Sequence, residues 1–206
     1  SMRIQQAAGL NGNRYATFHQ LGKEQAQKLH EDDRLYDVGD TIFIGSTPLG
    51  NSSLSLYLRE YHDNALSMYP AIGNVKEGRL PEEAIEIALS EDALQYLGLD
   101  AVIGDTVSLD LSVSVMDGSL SELEYSADFV LTGILESSYI GYASGTVEGI
   151  VGEGTAEELL PEEYLLYSTD FKTYDKQNFQ SIIYALAEDL NVDERYIQYN
   201  WVLLDA

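Results

Sequence analysis

The sequence predicts an α+β protein, and three observations predict it. Near each end an amphipathic helical pattern is bracketed by β-forming segments: Lys23 to Glu31 with Ala26 and Leu29 inward, and Asn178 to Leu190 with Phe179, Ile182, Ile183, Leu186 and Leu190 on one stripe. Between them period-two runs dominate, as expected of half-buried strands. An apolar content of 45% with 15 Tyr is that of a chain with a real core and not of a disordered one.

In order, Asn13 to Leu21 is a first strand, Lys23 to Glu31 a short helix, and Arg34 to Gly45 a β-forming stretch that Gly39 and Asp40 bulge or kink. Ser46 to Ser53 is a loop. Leu54, Leu56 and Leu58 alternate with polar partners in a third strand, and Tyr61 to Val75 weakens into a helical turn or loop. Ile85, Ile87 and Leu89 alternate with Ala84, Glu86 and Ala88, which predicts one buried and one wet face. Ser90 then caps a helix from Glu91 to Leu97 whose first-turn acids suit the helix dipole. Gly98 ends it, with positive φ and with Leu99 folding back.

Val107, Leu109, Leu111, Val113 and Val115 alternate over a long strand. Asp117 and Gly118 make a hairpin turn into a partner strand from Leu123 to Leu135, with Tyr125, Ala127, Phe129 and Leu131 on one face. Ser137 to Thr155 is a Gly/Ser-rich loop with a short strand at Val147 to Val151, Glu157 to Glu163 an acidic boundary, Tyr164 to Tyr167 a strand, and Tyr196 to Leu204 a last extended segment. Ser1 and Met2 read as the remnant of a cleaved tag.

The formal net charge is −24, and from Leu80 to Phe171 there is no Lys, Arg or His. Such a surface repels phosphate backbones and anionic headgroups, so nucleic-acid binding is excluded, and a cation or cationic peptide is the better company. Without cysteine there is no disulfide, thiolate site or Cys nucleophile. No apolar run reaches the roughly 18 to 20 residues that span a bilayer.

The words between Gly78 and Leu109, "EIALSE", "LGL" and "IGDTVSL", resemble the extracytoplasmic domain of FtsX/MacB-type ABC transporter permeases in their Gram-positive versions. "ADFVLTGILES" from Ala127 to Ser137 and "YIQYNWVLL" at the C-terminus continue the resemblance over nearly the whole chain. It implies a ferredoxin-like, porter-type α+β subdomain built from both chain ends, residues 1–68 and 161–206, and an inserted, mostly antiparallel β subdomain over 69–160.

Candidate chemistry is sparse. His19, His30 and His62 are the histidines, and no G-x-S-x-G elbow accompanies them: Gly141 to Gly145 reads GYASG, its serine one place late. Gly149 to Thr155, GIVGEGT, has the glycines of a phosphate loop without its lysine. Glu31, Asp32 and Asp33, or Glu157, Glu158, Glu162 and Glu163, offer oxygens for calcium without a D-x-D-x-D-G loop. Tyr139, Tyr142, Tyr164 and Tyr167 are a potential aromatic patch for a sugar or peptide.

No catalytic, cofactor-binding or metal-binding residue is therefore expected, and folding is expected to need no metal. The resemblance implies a non-catalytic extracytoplasmic domain at the cell membrane, anchored through flanking helices outside this chain. Its partners would be the rest of the permease, a cytoplasmic ATPase subunit and an unknown extracellular substrate or protein. The two chain ends would then emerge side by side. The alternative is a free-standing cell-surface binding module for a peptide or glycan, and an enzyme comes third.

Overall fold

The computed structural model describes residues 12–115, 122–139 and 141–205. Its elements, in chain order, are β1 (Ala16–Leu21), α1 (Lys23–His30), β2 (Leu35–Pro48), β3 (Ser55–Tyr61), β4 (Val75–Gly78), β5 (Glu86–Ser90), α2 (Glu91–Tyr96), β6 (Thr106–Val113), β7 (Leu123–Leu135), β8 (Thr146–Val151), α3 (Thr155–Leu159), β9 (Tyr167–Thr173), α4 (Phe179–Leu190), β10 (Ile197–Tyr199) and α5 (Trp201–Leu204). The α+β class is as expected. The Asp117 and Gly118 turn lies outside the described residues.

Residues 12–41, 62–70 and 166–205 form one compact unit. Its strands lie in the order β10-β1-β9-β2, and two β-α-β passages, β1-α1-β2 and β9-α4-β10, supply them. Counted within the unit the order is fourth, first, third, second, the ferredoxin-like arrangement. β1 is antiparallel to both neighbours, with Ala16 opposite Tyr199 on one side and Phe171 on the other. Phe18 and Phe171 meet edge to face at 5.3 Å, and Ala26 and Leu29 of α1 pack inward with Phe179, Ile183, Leu186 and Leu190 of α4; Ile182, expected on that stripe, is only half-buried, and Ala187 is buried beside it. Gln25 ties the helices together. Its Oε1 accepts from the Gly22 amide at 2.8 Å, and its Nε2 donates to the Leu190 carbonyl at 2.7 Å.

Residues 42–61, 71–115, 122–139 and 141–165 form the second unit. The strand order there is β2-β3-β8-β5-β7-β4, and β6 pairs β7 antiparallel from Thr106↔Val130 to Val113↔Leu123. Val107, Leu109, Leu111 and Val113 are buried while Thr106, Ser108 and Asp110 are exposed, the predicted alternation. β3 runs parallel to β8 and β5 parallel to β7.

The α2 junction forms as its residues dictate. Ser90 Oγ accepts from the Ala93 amide at 3.2 Å, Gly98 has φ +70, and the Leu99 amide donates to the Leu94 carbonyl at 2.9 Å. A Cβ on Gly98 would meet nothing within 4 Å, so only the backbone conformation opposes it. Gly98→Ala is expected to lower stability by about 1 kcal/mol in urea titration, the cost of a left-handed conformation for an L side chain.

Three expectations are corrected. β5 has no wet face over its apolar part: Ile87, Ala88 and Leu89 are all fully buried, because the strand is central between β8 and β7. The strand expected at Tyr164 to Tyr167 begins only at Tyr167, and Glu162–Tyr164 is a 3-10 turn that buries Tyr164. The last extended segment stops at Tyr199, and Trp201–Leu204 is a helical turn. In β2 Asp37 has left-handed backbone, φ +49. Gly39 serves a close approach, since a Cβ there would lie 2.6 Å from the Ala65 amide nitrogen.

The entry to β5 is clamped by one carboxylate. Glu86 accepts from Arg79 Nη1 at 2.9 Å and Nη2 at 2.6 Å, and from the amides of Glu82 and Glu83 at 2.9 Å each. The Arg79 guanidinium first, and then those amides, hold its pKa at about 2 against an ordinary 4.5, with burial opposing. Because the folded-state value is depressed, the contribution is complete above about pH 4.5 and disappears as the pH falls towards 2. Glu86→Gln should flatten the stability-against-pH curve in that window, read by denaturant titration at stepped pH.

Candidate functional site

The sequence motifs that suggested chemistry are absorbed by the fold. Ser144 of GYASG donates to the Gly141 carbonyl at 3.1 Å inside a 3-10 turn, with no nucleophile elbow around it. In GIVGEGT the position a phosphate would take is filled by a carboxylate: Glu60 accepts from the amides of Gly154 at 3.1 Å and Ala156 at 2.8 Å at the start of α3. Asp32 accepts the Arg34 guanidinium at 3.0 Å through Nε and 2.8 Å through Nη2, and Glu31 accepts from Gln27 at 3.2 Å. Glu157 and Glu158 lie on α3, and Glu162 and Glu163 on the following turn. Tyr139 and Tyr142 meet edge to face at 4.9 Å and Tyr142 donates to Asp92 at 2.8 Å, whereas Tyr164 and Tyr167 are buried core residues. The four therefore do not make one exposed patch.

The histidines lie in the ferredoxin-like unit. His19 on β1 places Nδ1 2.8 Å from Ser168 Oγ and Nε2 3.0 Å from Gln198 Oε1, which fixes it across the sheet. His30, the last residue of α1, places Nε2 3.0 Å from Asp40 Oδ2 and 3.7 Å from Asp63 Oδ2. The hydrogen bond to Asp40 raises the His30 pKa, Asp63 adds to the effect and burial opposes it. His62 belongs to the same neighbourhood through its backbone, its amide donating to the Asp40 carbonyl at 2.9 Å. Among the described residues this is the group that brings three potential metal-ligating atoms within 4.8 Å of one another. Sequence reading missed it because the three residues come from α1, β2 and the turn after β3, with no short-range spacing between them.

A second group was equally invisible in the sequence. Asp170 on β9, 2% exposed, accepts from Tyr69 Oη at 2.7 Å and from Thr17 Oγ1, and Arg14 Nε lies 3.3 Å from its Oδ1. Burial pushes the Asp170 carboxyl up, and Arg14, Thr17 and Tyr69 pull it back. This network joins the segment before β1 to β9.

The same region holds the two described ends of the chain. The Asn200 amide donates to the Tyr15 carbonyl at 2.9 Å, and Asn200 Nδ2 donates to the Gly12 carbonyl at 2.9 Å. The entry to β1 and the exit from β10 are thus adjacent strand ends, side by side as expected. Beside them Tyr199 and Trp201 stack at 4.9 Å, each edge-on to Phe179, and Trp201 is 45% exposed. A shallow, open groove runs along the C-terminal half of α4, lined by Tyr184, Glu188, Asn191, Asp193 and Ile197 among others. Among the described residues no helix is long and apolar enough to cross a membrane.

No family profile and no curated protein matches the sequence. Solved structures do match. The periplasmic region of MacB from Actinobacillus actinomycetemcomitans superposes with a TM-score of 0.54 at 13% identity, covering 100% of this chain and 97% of its own. The extracellular domain of the noncanonical ABC-type transporter YknZ from Gram-positive bacteria gives 0.54 at 13% identity, covering 91% of this chain and 99% of its own. The two likenesses cover 100% and 91% of this chain. This chain therefore has the fold of the extracytoplasmic domains of MacB-type ABC transporters.

Proposed function

We propose that this chain is the non-catalytic extracytoplasmic domain of an ABC transporter permease. In this reading ATP hydrolysis by a cytoplasmic subunit moves the domain through two flanking transmembrane helices, and the motion acts on a substrate or partner outside the membrane. On the same reading the ferredoxin-like unit, built from the two chain ends, is the porter-like part, and the second unit is the inserted part. The observation that carries the reading is the hydrogen bond between Asn200 and Tyr15. It leaves the chain two neighbouring exits, and packed helices stand about 8–10 Å apart, a separation such exits feed without a long linker. The exposed Trp201 beside those exits is of the type enriched at membrane interfaces. Likeness in fold to two transporter domains, over 100% and 91% of the chain, supports the same reading.

The absence of cysteine makes the test direct. Val102, 63% exposed, is changed to Cys in a cysteine-free version of the full parent protein expressed in cells. A membrane-impermeant maleimide should label Val102→Cys in intact cells, and the labelled protein should fractionate with membranes and co-purify with an ATPase subunit. Labelling only after lysis overturns the extracytoplasmic placement. Labelled protein in the medium or wall fraction, without an ATPase, replaces the permease with the free-standing binding module.

A further inference from the structure

The His30, Asp40 and Asp63 group is used by nothing in the transporter reading, and this inference does not rest on that reading. We propose that His30 Nε2, Asp40 Oδ2 and Asp63 Oδ2 form an open, three-ligand site for a divalent transition metal of the zinc type. Zinc bonds to nitrogen and oxygen of about 2.0–2.1 Å at tetrahedral angles set neighbouring ligand atoms roughly 3.3 Å apart. The two His30 separations, 3.0 and 3.7 Å, bracket that value, and all three atoms lie within 4.8 Å of one another. The remaining pair, Asp40 Oδ2 and Asp63 Oδ2, lies within 4.8 Å, and rotation of the exposed Asp63 side chain closes it onto an ion.

The surroundings prepare the site. Asp40 is 8% exposed, and its other oxygen, Oδ1, accepts from Thr169 Oγ1 at 2.7 Å, which turns Oδ2 towards His30. A hydroxyl holding the far oxygen of a ligating carboxylate is the outer-shell arrangement that orients metal ligands. The His62 amide, bonded to the Asp40 carbonyl at 2.9 Å, ties the turn carrying Asp63 to the strand carrying Asp40. Two carboxylates and an imidazole balance a divalent charge. The exposed side of Asp63 leaves the fourth position to water or to an incoming group.

The donor set selects among ions. Calcium takes six to eight oxygens and magnesium an octahedron of oxygens with several waters, so an imidazole nitrogen with two single carboxylate oxygens suits neither. The three ligands are already held by protein hydrogen bonds and ion pairs, so the metal-free protein folds and the ion adds to its stability.

The test is calorimetric titration of the whole chain with Zn2+ in excess Mg2+, which occupies weak acidic surface sites, together with thermal melts. One equivalent should bind, raise the melting temperature, and be reversed by chelator to the metal-free value. Asp63→Asn, at an exposed position, should keep the metal-free melting temperature and weaken zinc binding at least tenfold, as should His30→Gln. Thr169→Val should weaken it by about 10- to 100-fold while leaving all three ligands in place. Identical isotherms for the wild type, Asp63→Asn and His30→Gln would assign the zinc to adventitious surface acids and overturn the site. So would calcium binding there in preference to zinc.

Discussion

Asp170→Ala should unfold the ferredoxin-like unit or cost it about 3–5 kcal/mol, the penalty for breaking a buried ion pair by removing one partner. The substitution leaves the Arg14 guanidinium, 3% exposed, and the hydroxyls of Thr17 and Tyr69 facing an apolar Cβ. Trp201, the single tryptophan, lies in the same unit and reports its unfolding by fluorescence. Asp170→Asn keeps the shape and one acceptor but cannot neutralise Arg14, and should fall between wild type and Asp170→Ala. An Asp170→Ala protein with a wild-type urea midpoint would show that the network is solvated in solution.

Leu111→Asp should have an effect as large in the second unit. Leu111 is 2% exposed at the middle of the β6 face, and β2 comes so close that a Cβ at Gly45 would stand 3.1 Å from the Leu111 Cβ. The replacement forfeits the burial of a leucine, worth about 2–5 kcal/mol when truncated to Ala, and places a carboxylate beside apolar neighbours without a cation. Together these approach the whole stability of an ordinary domain, about 5–15 kcal/mol. Circular dichroism should show loss of β structure, and Leu111→Ala should retain the fold at lower stability. Near wild-type stability for Leu111→Asp would mean that β6 does not bury this face.

The sequence by itself determined whatever a few neighbouring residues decide. The α2 cap at Ser90, the left-handed stop at Gly98, the stripes of α1 and α4 and the alternation of β6 each depend on spacing within two or three turns or pleats, and each formed, with Ile182 only half-buried and β6 ending at Val113. Tertiary structure alone decided which segments became neighbours. Ala88 is buried because β5 lies between β7 and β8, with Gly133 opposite it, and no period-two reading can distinguish a central strand from one with a wet face. Glu60 occupies the anion position before α3 from a strand far away in sequence, and His30, Asp40 and Asp63 meet only once α1, β2 and the turn after β3 have packed. The physical reason is range. Caps, turns and periodicity are local energies written in consecutive residues, whereas strand order and side-chain clusters follow from burying many weakly specific apolar faces at once.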